Sequence, residues 1–392
     1  MERHPGGEDL IVLAYQRDAT KLFYSYHRNV ENAKAVLAKL PVLGGEKAEN
    51  NTIDTPLYRL LKERVNTYFA KTKQSSRGTE LMWGKSAALF LMTAIAYYLA
   101  MIKGFWIICP ILGVLMAMNG LAIQHDANHG SFSKYPLLNR IASFADDLIG
   151  GSSLIWRHQH DVLHHICPNH HELDGDSYSK YPVMRLNPKL PTVWYLAYQW
   201  LYGPFLLYSL MGLSYSFEDV TTLLSGRYLT ATLHPLRPVD KLVFWGGKIL
   251  HHLLFMVLPV YFHGWGALIK LYLLMELCGS NFLATVFAVS HNTSKTDYNI
   301  HEDQDWAELQ IRTSANWSVH STFWWLVSGG LNFQIEHHLF PGICHVHYPA
   351  ISDIVKQVCK EKKLPYNAYP TFHEIWKDHL NTLKKLATWK QQ

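Results

Sequence analysis

Ten consecutive residues, "WRHQHDVLHH" from Trp156 to His165, hold four of the chain's 23 histidines. Imidazoles at this density suit metal ligation, so the question is whether the chain supplies more of them. His125 and His129 in "HDANHG" stand four apart, on one face of a helix. His160 and His164 share a face in the same way, and His165 sits one position round. His337 and His338 close "QIEHH", with Gln334 one helical turn before them, and His291 lies in "VSHN". Eight imidazoles are too many for one ion. Neutral imidazole accepts zinc, copper, iron or nickel, and two irons with open positions would use this number and could activate dioxygen. No Glu-x-x-His, the motif of soluble di-iron bundles, occurs in the chain. H-E-x-x-H is absent as well, which excludes the common zinc proteases.

Each cluster carries a carboxylate, Asp126, Asp161 or Glu336. Each either orients a ligating imidazole or serves as a cap or solvated group. The remaining histidines read differently. His158 is a neighbour of the site, His170 and His171 belong to a solvated loop, and His251 and His252 begin a span at the membrane interface. His345 and His347 are structural or substrate-adjacent.

The elements that position these groups are apolar. "SAALFLMTAIAYYLAMI" and "FWIICPILGVLMAMNGLAI" are each close to the length that crosses hydrocarbon. Four spans are expected, at 86–102, 104–123, 246–263 and 267–290, with turns near 103 and 264 on the lumenal side. A fifth apolar stretch, 192–213, is interrupted by Gly203-Pro204 and rich in Tyr and Trp. The first and last histidine clusters can meet only if an even number of spans separates them, so this stretch is expected to lie in the interface. Fourteen Lys and Arg precede residue 86 and ten follow His291, against Lys103 alone in the first turn. This places both termini and the histidine clusters on the cytosolic side. Residues 57–80 read as a charged interfacial helix after the Pro-, Gly- and Asn-rich linker "PVLGGEKAENNTIDTP".

A net charge of +5 without a compact basic block argues against nucleic acid. Five scattered cysteines without a CxxC argue against a disulfide scaffold.

"HDANH", "HDVLHH" and "QIEHH" resemble the three histidine boxes of membrane fatty acid desaturases. The glutamine that opens the third box resembles the front-end subfamily, over roughly residues 80–360. That resemblance implies a mostly α-helical, four-helix membrane desaturase with a cytosolic helical cap. The cap would hold two iron ions on His125, His129, His160, His164, His165, His291, His337 and His338. It implies a partial cytochrome b5-like segment over 1–45, a linker and interfacial helix over 46–85, and a desaturase domain over 86–392. "HPGG" resembles the b5 haem motif, with His4 and His27 as the axial ligands of a haem b. Only three residues precede that motif, so truncation of a longer b5 domain is the expectation, with a separate cytochrome b5 as the other source of electrons.

The resemblance also implies a reaction. Electrons from NADH or NADPH, passed through a cytochrome b5 reductase, would reduce dioxygen to water as a cis double bond enters a polyunsaturated chain. The new bond would lie between an existing one and the carboxyl end. The substrate would be an acyl-lipid or acyl-CoA in a multi-pass protein of the endoplasmic reticulum. Three residues between His160 and the histidine pair, with Gln159 before them, favour delta-5, followed by delta-4, delta-6 or delta-8. A sphingolipid desaturase and a di-iron hydroxylase are the other enzymes with this ligand logic. A metal-binding or transport protein would instead place its ligands in mid-span. Trp194, Tyr198, Trp200, Phe282, Trp324 and Trp325 are expected along the acyl tunnel.

Overall fold

The structure, a computed structural model, describes residues 4–41, 52–178, 180–301 and 303–389. Met1–Arg3 and residues 42–51, the greater part of the expected linker, lie outside the described residues. Helix α1 is Pro56–Thr72. Two long apolar helices follow, α2 (Glu80–Ile102) and α3 (Trp106–Asn128), then α4 (Pro136–Leu148). Helix α5 is Ser153–Arg157, which runs directly into a π-helical turn over His158–His164. Helix α6 is Met211–Ser225. The second apolar pair is α7 (Pro238–His263) and α8 (Leu268–His291). The C-terminal cap consists of α9 (Trp306–Thr313), α10 (Gln334–Leu339), α11 (Tyr348–Lys362) and α12 (Phe372–Thr388).

Four described helices are thus long and apolar enough to cross a membrane. Both hairpins turn where the sequence predicts, at Gly104 and Gly264, each with positive φ. Only glycine takes that conformation without strain. The stretch 192–213 forms no long helix. It breaks into short turns, Trp194–Tyr198, Gln199–Tyr202 and the π-turn Gly203–Leu207. Buried Gln199 donates to Leu383 O on α12 at 2.7 Å.

The inner spans α3 and α8 run parallel and meet through glycine. A Cβ at Gly113 would stand 2.2 Å from Met275 O, and one at Gly279 would stand 2.7 Å from Gly113 O. Each glycine lies twelve residues before the histidine its helix delivers, His125 or His291, so the close contact sets both imidazoles at matching depth.

Two expectations are corrected. Helix α1 does not lie on the interface: Tyr58, Leu61 and Val65 pack into the cap core with Ile335, Leu339 and Ile351. The Tyr58 hydroxyl donates to Leu339 O at 2.8 Å. The i, i+3, i+7 spacing that reads as an interfacial stripe is satisfied by protein. His251 is likewise buried, because its face of α7 turns toward α4 and α8. Its Nδ1 pairs with Leu148 O at 3.0 Å and its Nε2 lies 3.7 Å from Glu276, while His252 is exposed.

Gly279→Leu should force α3 and α8 apart, at a cost of about 1–3 kcal/mol. It should lower the thermal unfolding midpoint in detergent, whereas Gly246→Leu, whose Cβ meets nothing within 4 Å, should not. Equal midpoints for the two variants would refute the glycine contact as the interlock.

Candidate metal centre

Spans α3 and α8 end at the same group of helices and carry His125, His129 and His291 to one point. The second histidine cluster reaches the same point through its π-turn. The His165 N–H donates to His160 O at 2.9 Å, an i→i+5 bond. Widening the turn in this way brings residues four and five apart onto one face. His165 therefore joins His160 and His164 instead of lying one position round. The third cluster arrives on α10, whose entry is fixed by Asn316, which accepts from Ile335 N at 2.9 Å.

All eight imidazoles are buried. Seven of them fall into two separate sets whose ligand atoms lie within 4.8 Å of one another, His125, His129, His160 and His337, and then His164, His291 and His338, and a third group of His165, His337 and His338 links the two. His165 stands between them. Its Nε2 is 3.1 Å from His160 Nε2 and 3.0 Å from His337 Nε2, and its ring stacks on His338 at 4.4 Å. The Gln334 amide nitrogen lies 2.8 Å from His291 Nε2, at the edge of the second set.

Five of the outward nitrogens are held. His291 Nδ1 pairs with Thr313 O at 3.0 Å, His338 Nδ1 with Gln310 Oε1 at 2.8 Å, and His337 Nδ1 with the Tyr348 hydroxyl at 3.2 Å. His164 Nδ1 lies 3.0 Å from Asp174, and His129 Nδ1 lies 3.0 Å from Asp161 and 2.7 Å from the Tyr26 hydroxyl. A proton fixed on Nδ1 leaves Nε2 as a lone-pair donor pointing inward.

Burial, reinforced by neighbouring imidazoles, holds His160, His165, His337 and His338 well below the usual histidine range, in the neutral form that binds metal. At His164 burial acts the same way, but the carboxyls of Asp174 and Asp176 overcome it and raise the ring to about 9. That local negative charge would equally favour a metal cation. Several nitrogens, both of His125, Nε2 of His129 and Nδ1 of His165, are buried with no hydrogen-bond partner. Lone pairs converging at 3.0–3.1 Å and buried nitrogens left without partners fit a cation between the rings. The donor set suits two ions.

Of the three expected carboxylates, Asp161 faces a clustered imidazole and two do not. Asp126 accepts from His345 at both Nδ1 (2.9 Å) and the backbone N–H (3.2 Å), so it anchors the 344–347 loop. Glu336 accepts from Asn316 at 2.7 Å and Tyr366 at 2.9 Å, and burial pushes its carboxyl up to about 7. Each points away because its own helix presents the neighbouring histidine inward. His158 faces His234 at 3.4 Å, outside the cluster. His170 is buried and accepts from two backbone N–H groups, so it is not a solvated residue.

The partners Asp174, Gln310, Thr313, Tyr348 and Tyr26 were missed in the sequence. They lie outside the histidine motifs, and only "ELDGD", close after the second cluster, carried a signal. Tyr26 comes from the N-terminal segment, which is tied to the rest by Asp9 against Arg140 (2.6 Å) and Arg237 (2.7 Å).

His4 and His27, in that segment, stand edge to face with ring centroids 5.9 Å apart. His27 Nδ1 donates to Phe23 O at 2.7 Å, leaving Nε2 free. His4 Nδ1 accepts from Gly6 N–H at 3.2 Å.

A cavity of about 450 Å³ opens beside His160, His164 and His291 and is lined by Gly120, Gln124, Trp156, Leu283 and Phe287 among others. Trp156 stacks on His160 at 4.2 Å. None of the six aromatics expected along a tunnel lines it. Trp194 and Tyr198 are 81% and 60% exposed, and Trp324 stacks on Phe372 at 4.4 Å. On α8 the lining residues are Leu283, Ala284, Phe287, Ala288 and His291, and Phe282 is not among them.

Four apolar helices beneath a buried polyhistidine pocket define a membrane-embedded protein with a site fit for metal. The family model "Fatty acid desaturase" matches residues 102–370. An acyl-lipid (7-3)-desaturase, chloroplastic, of Chlamydomonas reinhardtii is 36% identical over the whole chain and 79% of its own length. An acyl-lipid (8-3)-desaturase of Physcomitrium patens is 36% identical over 98% of the chain and 84% of its length. A Delta(5) fatty acid desaturase A of Dictyostelium discoideum is 30% identical over 98% and 87%. The chain belongs to the fatty acid desaturase family and is an oxidoreductase of lipid metabolism.

His338→Ala should lower the iron bound at saturation, read by elemental analysis of purified protein titrated with ferrous iron. Gln310→Ala removes only an outer hydrogen bond and should weaken affinity about 10–100-fold with stoichiometry unchanged. Full loading of His338→Ala would remove that imidazole from the ligand set.

Proposed function

We propose that the chain is a front-end acyl-lipid desaturase acting at the delta-5 position. The observation that carries this reading is the split of eight buried imidazoles into two sets with His165 between them and Gln334 turned onto His291. His125, His129, His160 and His337 would hold one iron, His164, His291 and His338 the other, and His165 either or both. Two irons so bound supply the activation of dioxygen that an unactivated methylene pair requires.

The chain's own residues do the rest. Asp161, Asp174, Gln310, Thr313 and Tyr348 keep the Nε2 atoms of His129, His164, His338, His291 and His337 aimed inward. Trp156 and Phe287 wall the imidazoles off from water and hold one C–C bond of the substrate beside them. The balance is one hydrogen from each of two adjacent carbons, one dioxygen, two electrons and two protons, giving a double bond and two waters.

The electrons come from NADH or NADPH through a reductase and cytochrome b5. The histidine face and both termini lie on the cytosolic side of the endoplasmic reticulum. The desaturase body begins before residue 86, since α1 is part of its core. Three of the relatives' printed names support the acyl-lipid and delta-5 readings.

Expression in yeast membranes fed single polyunsaturated acids, with products read by gas chromatography–mass spectrometry, tests this. The expected product carries a new cis double bond at C5, on the carboxyl side of an existing one. A bond at C4, C6 or C8 would correct the position, and a hydroxylated product would overturn desaturation.

A further inference from the structure

The cavity beside the imidazoles is asymmetric. Its wall between α3 and α8 is apolar, formed by Gly120, Leu283 and Phe287. The opposite wall is polar and comes from the loop after α5 and from α6. There, Asp176 Oδ2 lies 3.5 Å from His164 Nδ1 and its Oδ1 accepts from Gln159 at 2.8 Å. Gln159 also donates to the Tyr215 hydroxyl at 3.4 Å. Lys180 Nζ stands over the Tyr215 ring at 4.8 Å and donates to both carboxylate oxygens of Glu218, at 3.1 and 3.3 Å. Lys180 and Glu218 are partly exposed, so this is the mouth.

Two properties of the mouth define what enters it. The first is distance. In a delta-5 substrate only four bonds separate the carbonyl carbon from C5, a reach of about 5 Å, roughly one helical turn. The ester group must therefore sit among polar groups within one or two side chains of the imidazoles. Tyr215 is such a group: its oxygen accepts from Gln159, and no described residue receives its proton. The second is charge. Lys180 is the one cation among the described lining residues apart from the histidines, and every other charged lining group is a carboxyl. A polyanionic carrier such as coenzyme A would face those carboxyls. A zwitterionic headgroup would instead find an ammonium for its phosphate and a carboxylate for its amine. Lys180 has three donors and Glu218 takes two.

We propose that Tyr215, Lys180 and Glu218 form the subsite for the carboxyl end of the substrate. Tyr215 donates to the ester carbonyl, and the Lys180–Glu218 pair receives the phosphate and amine of a zwitterionic glycerophospholipid. The subsite rests on the front-end reading and sets its counting, because it fixes the carbonyl at a constant distance from the imidazoles. Gln159 is a positioning residue that holds the Tyr215 oxygen.

The test uses the full chain in yeast microsomes with labelled acyl groups on phosphatidylcholine, phosphatidylglycerol or coenzyme A. Wild type should prefer phosphatidylcholine. Lys180→Gln should raise the KM for both phospholipids about tenfold, as loss of a hydrogen bond to a charged group does, with kcat little changed. Glu218→Gln should raise it for phosphatidylcholine alone. Tyr215→Phe should lower kcat/KM and spread the new double bond over neighbouring positions.

The double variant Lys180→Glu with Glu218→Lys keeps the ion pair and guards against misfolding. It should recover phosphatidylcholine use relative to Lys180→Gln. Equal effects of the single variants on all three carriers, or a wild-type preference for coenzyme A, would overturn the subsite while leaving desaturation intact. No new double bond from any carrier in iron-loaded wild type would overturn the front-end reading itself.

Discussion

Everything in this structure answers to one requirement: uncharged imidazoles must be buried together without losing their aim. An imidazole carries two nitrogens, and burying either without a partner costs free energy. The protein resolves this by pairing the outer nitrogen of most rings with a carboxylate, carbonyl, amide or hydroxyl and leaving the inner one free. Asp174, Tyr348 and the pair Gln310 and Thr313 on α9 come from three separate stretches of chain. The cap helices exist in their order largely to bring those groups round the site. Inner nitrogens that approach one another at 3.0–3.1 Å are then stable only with a cation among them.

Depth is set from the membrane. The glycine contact between α3 and α8 locks two parallel spans, and the equal lengths from glycine to histidine carry that lock to the site. The cap helices then dock on a fixed base. Helix α1 closes the cap from outside through Tyr58, Leu61 and Val65, and the N-terminal segment adds a polar clasp through Asp9 and Tyr26.

Much of this was legible in the sequence because the signals are local. Spans read as apolar runs, the hairpin turns as glycines, and the histidine clusters as spacing. Features that depend on distant contacts were not legible. The stripe on α1 looks the same whether lipid or α10 covers it. The direction of Asp126 depends on His345, more than two hundred residues away. The cavity wall depends on which face of α8 meets α3, and one residue separates Phe282 from the correct lining at Leu283. Aromatic content marked the region and misidentified the residues, since Trp194 and Tyr198 turn outward.

The π-turn over His158–His164 bears on how such sites diverge. Its i→i+5 bond from His165 to His160 makes five residues do what four do in an ordinary helix. Loss of one residue between His160 and His164 would restore the i→i+4 bond and keep both imidazoles of the pair among the other histidines, on a narrower coil. A two-residue spacer and a three-residue spacer are thus interchangeable solutions for the ligands. They differ in what they do to Gln159 and its neighbours, which the narrower coil would rotate. A residue gained or lost there would turn one wall of the cavity while leaving the imidazoles together, so this short segment can vary the cavity without dispersing the ligands.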